Sequence, residues 1–308
     1  MTETRAATVR ETAGDGGSRP PHDRTSARRR RWWLEVGWKY FFAAGIIFYA
    51  AFPLVYILSA SLNPRGSLAA SNAIFSAVSI ENYMALGDTY FWAWYGNTLL
   101  IGGIAAVGAV VIGAAGAYAF SRFRFSGRRA SLSGLLIIQM FPQTLAFVAI
   151  LLMLLAIGEV VPALGINSKI SLIALYLAGA LGANTFLMYG FFNTVPIEID
   201  ESAKIDGATH AQIFWRLIMP LVTPILAVVA LLAFIAAFGD YVLAKIVLVS
   251  EENWTLAVGM YQWVSDQLTS RWGLFTAGAV LAAIPVLVLF LSLQRYIVGG
   301  LTAGAVKG

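Results

Sequence analysis

The chain has no cysteine, only two histidines, His22 and His210, and charged residues at 12% of its 308 positions. Without cysteine there is no disulfide framework and no thiolate metal site. The two histidines are too few and too far apart in sequence to suggest a metal cluster. Soluble domains are charged at about a quarter of their residues, so this chain has too little polar surface to cover one soluble core. The signatures of nucleotide and hydrolytic chemistry are missing as well. No GxxxxGK[ST] run cradles a phosphate, and neither HExxH nor GxSxG occurs. Any ATP-driven process that uses this chain needs its nucleotide site on another polypeptide.

What the chain does have is apolar sequence, 59% of the total. Residues 1–31, MTETRAATVRETAGDGGSRPPHDRTSARRRR, are the exception. They hold too few large apolar groups to repay the entropy of ordering and read as a disordered basic tail. The stretch that follows is too long for a signal peptide and lacks a clear small-residue cleavage site. Six apolar runs then occupy about 39–62, 95–120, 131–157, 170–192, 222–249 and 273–297. Each exceeds the roughly 20 residues that cross a hydrocarbon core of about 30 Å. The pattern predicts an all-α membrane protein with six transmembrane helices. Pro53, Pro142 and Pro285 fall inside the first, third and sixth runs. Such prolines are tolerated where neighbours satisfy the freed carbonyl, and they serve packing or shape a pathway.

The cations set the expected orientation. Of 21 Lys and Arg, 17 lie on the side of the N-terminal Arg cluster, with Lys39, Arg122, Arg124, Arg128, Arg129, Lys204, Arg216, Arg295 and Lys307. Only Arg65, Lys169, Lys245 and Arg271 lie on the other. The positive-inside rule then puts both termini in the cytoplasm. It leaves 63–94 and 250–272 as the long outer loops, and it puts 121–130 and 201–220 inside.

One inner stretch, ESAKIDGATHAQIFWRLIMP at 201–220, is too polar for its surroundings. Pro196 precedes a short helix in which Asp200 and Lys204, one turn apart, can pair. Gly207 stops that helix in a left-handed conformation. Thr209 and Gln212 have capping-box spacing and start a second helix. Ile213, Phe214, Leu217 and Ile218 give it an apolar stripe, and Pro220 ends it or opens the next span. The two helices and their corner can pack on their own bundle, on lipid headgroups or on a partner protein.

Polar groups in or near the runs are Asn97, Gln139, Gln143, Asn184, Asp240 and Lys245. Gln139, Gln143 and Asn184 suit hydrogen bonding to a neutral sugar, or equally to a neighbouring helix. Asp240 falls about 27 Å along its helix counted from 222. That is near the outer end, where water reaches it and Lys245 can snorkel. A packing or boundary role stands there at least level with a proton relay.

The corner stretch also carries a resemblance. Glu201-Ser202-Ala203, three residues, Gly207, nine residues and Leu217-Ile218-Met219-Pro220 is similar to the EAA loop, Glu-Ala-Ala, three residues, Gly, nine residues, Ile-x-Leu-Pro. That loop marks the permease subunits of binding-protein-dependent importers driven by ATP-binding cassettes. Ser202, Leu217 and Met219 depart from the pattern conservatively. QMFP at 139–142, GEVVPALGINS at 158–168, WTLAVGM at 254–260 and the tail GGLTAGAVKG at 299–308 resemble the MalG-type subunits of maltose importers.

The resemblance implies the type I importer transmembrane fold, a core over 92–297 after a first helix at 39–62, and a cytoplasmic tail at 298–308. Glu201, Ser202, Ala203, Gly207, Leu217 and Pro220 would form the loop that docks on an ATPase subunit. Thr302, Gly304 and Lys307 of the tail would make a second contact there. Asn253, Trp254 and Thr255 would reach from the outer loop towards a sugar-binding protein, although the loop's aromatics also suit interfacial anchors. Gln139, Gln143, Asn184 and Asp240 are the pathway candidates. The implied partners are a second, MalF-type permease, two ATP-binding cassette subunits carrying ATP and Mg, an extracytoplasmic sugar-binding protein and membrane lipid. No cofactor of its own and no nucleic acid are expected, and the location is the bacterial plasma membrane. A trehalose or other oligosaccharide importer is the competing reading, and an ion-coupled secondary transporter or a membrane enzyme is more remote.

Overall fold

The computed structural model describes residues 33–64, 74–265 and 271–305, less the side chains of Leu34, Gln143, Ala183 and 298–305. The tail expected to be disordered, 1–31, lies outside the described residues. All regular structure among them is helical. We label the helices α1 (Trp38–Ser61), α2 (Glu81–Ala85), α3 (Phe91–Arg122), α4 (Arg128–Met140), α5 (Phe147–Val160) and α6 (Lys169–Phe192). The chain continues with α7 (Ile197–Ile205), α8 (His210–Leu221), α9 (Thr223–Gly239), α10 (Val242–Val247), α11 (Leu256–Ser265) and α12 (Trp272–Ala305).

Three stretches, Glu35–Ser61, Phe91–Arg122 and Trp272–Ile297, are long and apolar enough to cross a membrane unbroken. Pro53 and Pro285 sit inside them without ending the helix. The third, fourth and fifth predicted runs are not straight rods. α4 and the Thr144–Val160 stretch meet at 81°, and the two arms of α6, Lys169–Gly182 and Asn184–Phe192, meet at 43°. At the first break Phe141 is extended (φ −71°, ψ 127°), the conformation that a following proline imposes. Pro142 therefore divides the third run. The expected 222–249 run also breaks. α9 stops at Gly239, Asp240 turns extended (φ −71°, ψ 120°), and α10 follows as a separate turn and a half. Counting each bent pair as one crossing, the third pair being α8 with α9, gives up to six.

Contacts divide the chain after Leu54 into two compact units, Met1–Leu54 and Val55–Gly308. In the first, Phe41, Ile46, Phe48 and Tyr49 of α1 are exposed, as suits a helix whose solvent is lipid. In the second, α3 packs chiefly on α6 and α9. Ala105, Ala109, Gly113, Ala114 and Ala117 face inward along α3. Their small side chains let the backbones approach, which is how helices associate where lipid removes the hydrophobic drive. At Gly113 a Cβ would come within 3.2 Å of the Asn184 Cβ and 3.3 Å of the Met188 sulfur. A larger residue there would push α3 off α6.

The second unit has two apolar cores. One gathers Phe91, Trp94, Ile101, Leu172, Val247, Trp254, Leu256 and Trp263 near the start of α3. The other gathers Ala117, Tyr118, Met188, Phe192, Ala203, Ile213, Phe214, Ile218 and Val229 near its end. The second core takes in both arms of the 201–220 stretch, so that stretch is built into the bundle.

Candidate functional site

The corner is assembled by local chemistry. α7 ends in a Schellman arrangement. The Gly207 N–H donates to the Lys204 carbonyl at 3.0 Å, and the Ala208 N–H reaches back to Ala203 at 2.9 Å. Gly207 has φ +82°, a region costly for any residue with a Cβ. α8 then starts on a complete capping box. The Thr209 hydroxyl accepts from the Gln212 N–H at 3.3 Å, and the Gln212 side-chain oxygen accepts from the Thr209 N–H at 2.8 Å. Within α8, residues 213–218 are wound as a π-helix, and the Met219 N–H bonds to Phe214, five residues back. Pro220 has no N–H for the Arg216 carbonyl, which favours this widening. A bend of 82° at Val222 then leads into α9.

The corner has a buried face and an open face. Ala203, Ile213, Phe214 and Ile218 are buried, and Leu217 is half-buried. Glu201, Ser202, Gly207 and Pro220 are exposed. Large apolar side chains of the two arms are also exposed, among them Ile205 at 86% and Trp215 at 52%. Sequence reasoning missed both. Each falls off the apolar stripe of its helix, and that offset is the signal that could have found them.

The pair expected between Asp200 and Lys204 is replaced by another. Lys204 is exposed, whereas Asp200 is buried, and its Oδ2 lies 3.0 Å from Arg122 Nε. Arg122 is the last residue of α3. Its guanidinium also donates to the carbonyls of Phe192 at 3.2 Å and Val195 at 3.0 Å, where α6 runs out of backbone donors. The Arg122–Asp200 contact is ionic rather than a well-aimed hydrogen bond. Both Asp200 oxygens, and the Tyr118 hydroxyl one turn back on α3, lack a hydrogen-bond partner among the described residues.

A cavity of about 770 Å³ lies among α3, α4, α5, α6 and α9. Small residues of α3 (Ala105, Ala109) and of α6 (Ala178, Gly179, Gly182) make its room. Gln139, Asn184 and Asp240 come together on its wall with Tyr176. The Gln139 amide lies on Gly182, where a Cβ would come within 2.7 Å of its nitrogen. Asp240 stands at the end of α9, as its position in the run suggested, and the chain breaks there before α10. It accepts from the Tyr176 hydroxyl at 2.8 Å and from the Ala244 N–H at 3.0 Å. It thus ties the broken fifth run to α6 and caps α10. Gln143 follows the Pro142 break, and its side chain lies outside the described residues.

At the opposite end of α3 the segment 248–256 is held by neutral donors. Trp94 Nε1 donates to the Glu251 carbonyl at 2.7 Å, and Asn97 donates to the carbonyls of Glu252 at 2.9 Å and Trp254 at 3.0 Å. Asn167, in the left-handed region at φ +63°, accepts from the N–H groups of Val249 at 3.1 Å and Ser250 at 2.9 Å. Trp254 and Thr255 are consequently buried, while Asn253 is half-buried. The exposed Lys245 lies over the Trp254 ring at 4.1 Å. Among the described residues of this region, Glu251, Glu252, Tyr261 and Gln262 have side chains open to a partner. At the C-terminus α12 is continuous to Ala305. Thr302 and Gly304 therefore extend that helix; the Thr302 side chain and Lys307 lie outside the described residues. No group of three or more metal-ligating side chains occurs among the described residues.

The family described as binding-protein-dependent transport system inner membrane component matches residues 109–302. The maltodextrin transport system permease protein MdxG of Bacillus subtilis (strain 168) is 42% identical over 258 residues, 83% of this chain and 91% of the relative. The galactooligosaccharides transport system permease protein GanQ of the same organism is 37% identical over 90% of this chain and 98% of its own length. The maltose/maltodextrin transport system permease protein MalG of Escherichia coli (strain K12) is 38% identical over 85% of this chain and 93% of its own length. Among solved structures, a chain of a bacterial ABC transporter involved in the import of the acidic polysaccharide alginate has a TM-score of 0.70 at 24% identity, over 90% of this chain and 99% of that one. That likeness speaks to the fold.

Proposed function

The chain belongs to the family of binding-protein-dependent transport system inner membrane components, and from that membership we propose that it is a permease subunit of an ATP-driven importer for maltose and maltodextrins. The observation that carries the reading is the two-armed corner. It is capped and rigid, rooted in the bundle by Ala203, Ile213, Phe214 and Ile218, and leaves Glu201, Ile205 and Trp215 uncovered. Uncovered apolar side chains among charged ones suit a docking face, and a rigid element with two docked arrangements can carry coupling. In this reading a separate ATPase subunit seats on that face, with Glu201, Ser202 and Gly207 at the contact and Leu217 and Pro220 setting the arm behind it. Thr302, Gly304 and Lys307 add a second contact from the end of α12. Both termini lie in the cytoplasm.

The cavity supplies half of a sugar path, completed by a second permease subunit. Its amides Gln139 and Asn184 and the Tyr176 ring offer neutral polar contacts beside the hydrogen-bonded Asp240, which suits a neutral oligosaccharide. Gln143 would join them beyond the Pro142 break. An extracytoplasmic binding protein delivers the sugar to the opposite end, at the loop that holds Asn253, Trp254 and Thr255. With those last two buried, Glu251, Glu252, Tyr261 and Gln262 would make the first contact. The chain works as a transport subunit, and ATP and Mg bind on its ATPase partners.

The sugar follows from the relatives named for maltose and maltodextrin. The galactooligosaccharide relative, at 37% identity over more of the chain, makes galactooligosaccharides the second reading. ATP hydrolysis by the reconstituted complex, measured with its binding protein and a panel of maltose, maltotriose, trehalose and galactobiose, tests both. Stimulation by maltose and maltotriose is the expected outcome. Stimulation by galactobiose or trehalose alone would replace the sugar and keep the class. Sugar uptake by this chain without any ATPase would overturn the class.

A further inference from the structure

We propose that Arg122 and Asp200 form a fixed joint that makes the coupling corner one mechanical body with α3 and α6, so that a displacement of α7 and α8 is delivered to the cavity wall. The inference rests on the importer reading and assigns a positioning role to two residues outside the loop pattern that identifies the family.

Four observations lead to it. The pair is buried on both sides, with side-chain exposures of 8% for Arg122 and 3% for Asp200. Arg122 is the final residue of α3, and Asp200 sits in the first half of α7, so the contact bridges the bundle and the corner directly. The same guanidinium holds the Phe192 and Val195 carbonyls. It thus fastens the end of α6 and the connection into α7 at one point. Aromatic packing braces the other arm. The Tyr118 ring lies 5.2 Å from Phe214 of α8, and the Phe123 ring lies 5.2 Å from His210.

The chemistry suits a joint better than a mere filler. A buried ion pair is weak evidence for stability, because desolvation offsets most of the attraction, and well-packed apolar residues often do as well. Its distinctive property is that sliding one partner away leaves a charge unpaired in a dry site. Arg122 and Asp200 therefore resist separation more steeply than two apolar side chains of the same volume. Along α3, Ala109 on the cavity wall lies about 20 Å from Arg122. On α6, Asn184 lies two turns before Phe192. Both walls thus connect to the corner through stiff helix, the shared apolar core and the Arg122 guanidinium.

The joint is tested in the assembled complex by transport per ATP hydrolysed, a ratio that a purely structural role would leave alone. Arg122→Met/Asp200→Val removes both charges at close to the original combined volume, so the complex is expected to assemble. Its ATPase should persist while sugar moved per ATP falls about tenfold, within the usual range for coupling between sites. Arg122→Lys keeps the charge but not the fork to the two carbonyls, and should lie between the two.

The absence of cysteine in this chain allows a second measurement. Arg122→Cys/Asp200→Cys, bridged by a short bifunctional thiol reagent in an otherwise cysteine-free complex, should regain the coupling that it loses unbridged. An apolar pair that transports as tightly as the unmodified complex would overturn the proposal. So would a bridge that blocks transport, because the two residues would then have to part during the cycle. Failure of every variant to assemble would also overturn it and assign the pair to folding. An unmodified complex with no sugar-stimulated ATPase would sink the importer reading, and the joint with it. Coupling that is intact in the unmodified complex and unchanged in the variants sinks the joint alone.

Discussion

The two ends of α3 hold their neighbouring connections by different means. At the end that starts with Phe91, the 248–256 segment is fastened by neutral groups. Trp94, Asn97 and Asn167 each satisfy backbone atoms of the passing chain, and the aromatic core of Trp94, Trp254 and Trp263 packs beneath them. At the end that stops with Arg122, the connection into α7 is fastened by one guanidinium, one carboxylate and two carbonyls. The first arrangement spreads the load over many modest bonds, so no single one is decisive. The second concentrates it in a charge that must stay paired. A distributed clamp suits a part that keeps its shape. A concentrated joint suits a part that moves as a body and must not lag.

Substitutions can break or sharpen that contrast. The largest effect is expected at the corner. Gly207→Pro cannot adopt φ +82° and loses the N–H that bonds Lys204, a local cost of about 3 kcal/mol or more. Sugar uptake by the reconstituted complex should be lost while the protein still enters the membrane. Wild-type uptake would remove the corner from the coupling argument. At the opposite end, Asn167→Ala leaves the Val249 and Ser250 N–H groups without their acceptor. A thermal unfolding series in detergent should show a loss of about 1–3 kcal/mol, with coupling preserved in the protein that remains folded.

Thr209→Ala removes the capping box of α8 and should cost about 1 kcal/mol. Hydrogen exchange at residues 210–213 should rise, and exchange in α3 should not. The smallest effect belongs to Lys245→Met. It gives up a cation–π contact of about 0.5–1 kcal/mol and keeps the stem packed on Trp254. Uptake should be unchanged within error. A large loss would mean that Lys245 does more than pack.

Much of the corner was legible in the sequence, because its chemistry is local. Gly207 at a helix end, Thr209 and Gln212 at capping-box spacing, and the stripe of Ile213, Phe214 and Ile218 are relations among residues within two turns, and all three are present in the fold. The pathway residues were legible only as types. Gln139, Asn184 and Asp240 stood out as polar groups in apolar runs, but that they share one cavity depends on the bends at Pro142 and Ala183 and on the break at Asp240. The outer loop misled for a physical reason. Trp254 and Thr255 lie between polar neighbours and read as loop, yet α3 draws that backbone down and both side chains are buried: Asn97 donates to the Glu252 and Trp254 carbonyls, and the Thr98 hydroxyl accepts from the Leu256 N–H. Asp200 misled in the same way. Its helical neighbour Lys204 was the partner visible in sequence, while Arg122 stands 78 positions away.

By itself the sequence determined the solvent and the local devices of this protein. Apolar runs longer than a bilayer core admit only helices, and spacing within a turn or two sets caps, corners and stripes. Only the tertiary structure decided which polar groups meet. A buried charge or amide is satisfied by whatever the packing brings near, and that depends on where prolines bend the spans and on which small residues let two backbones close. Arg122 with Asp200, Tyr176 with Asp240 and Asn167 with Ser250 are products of that packing.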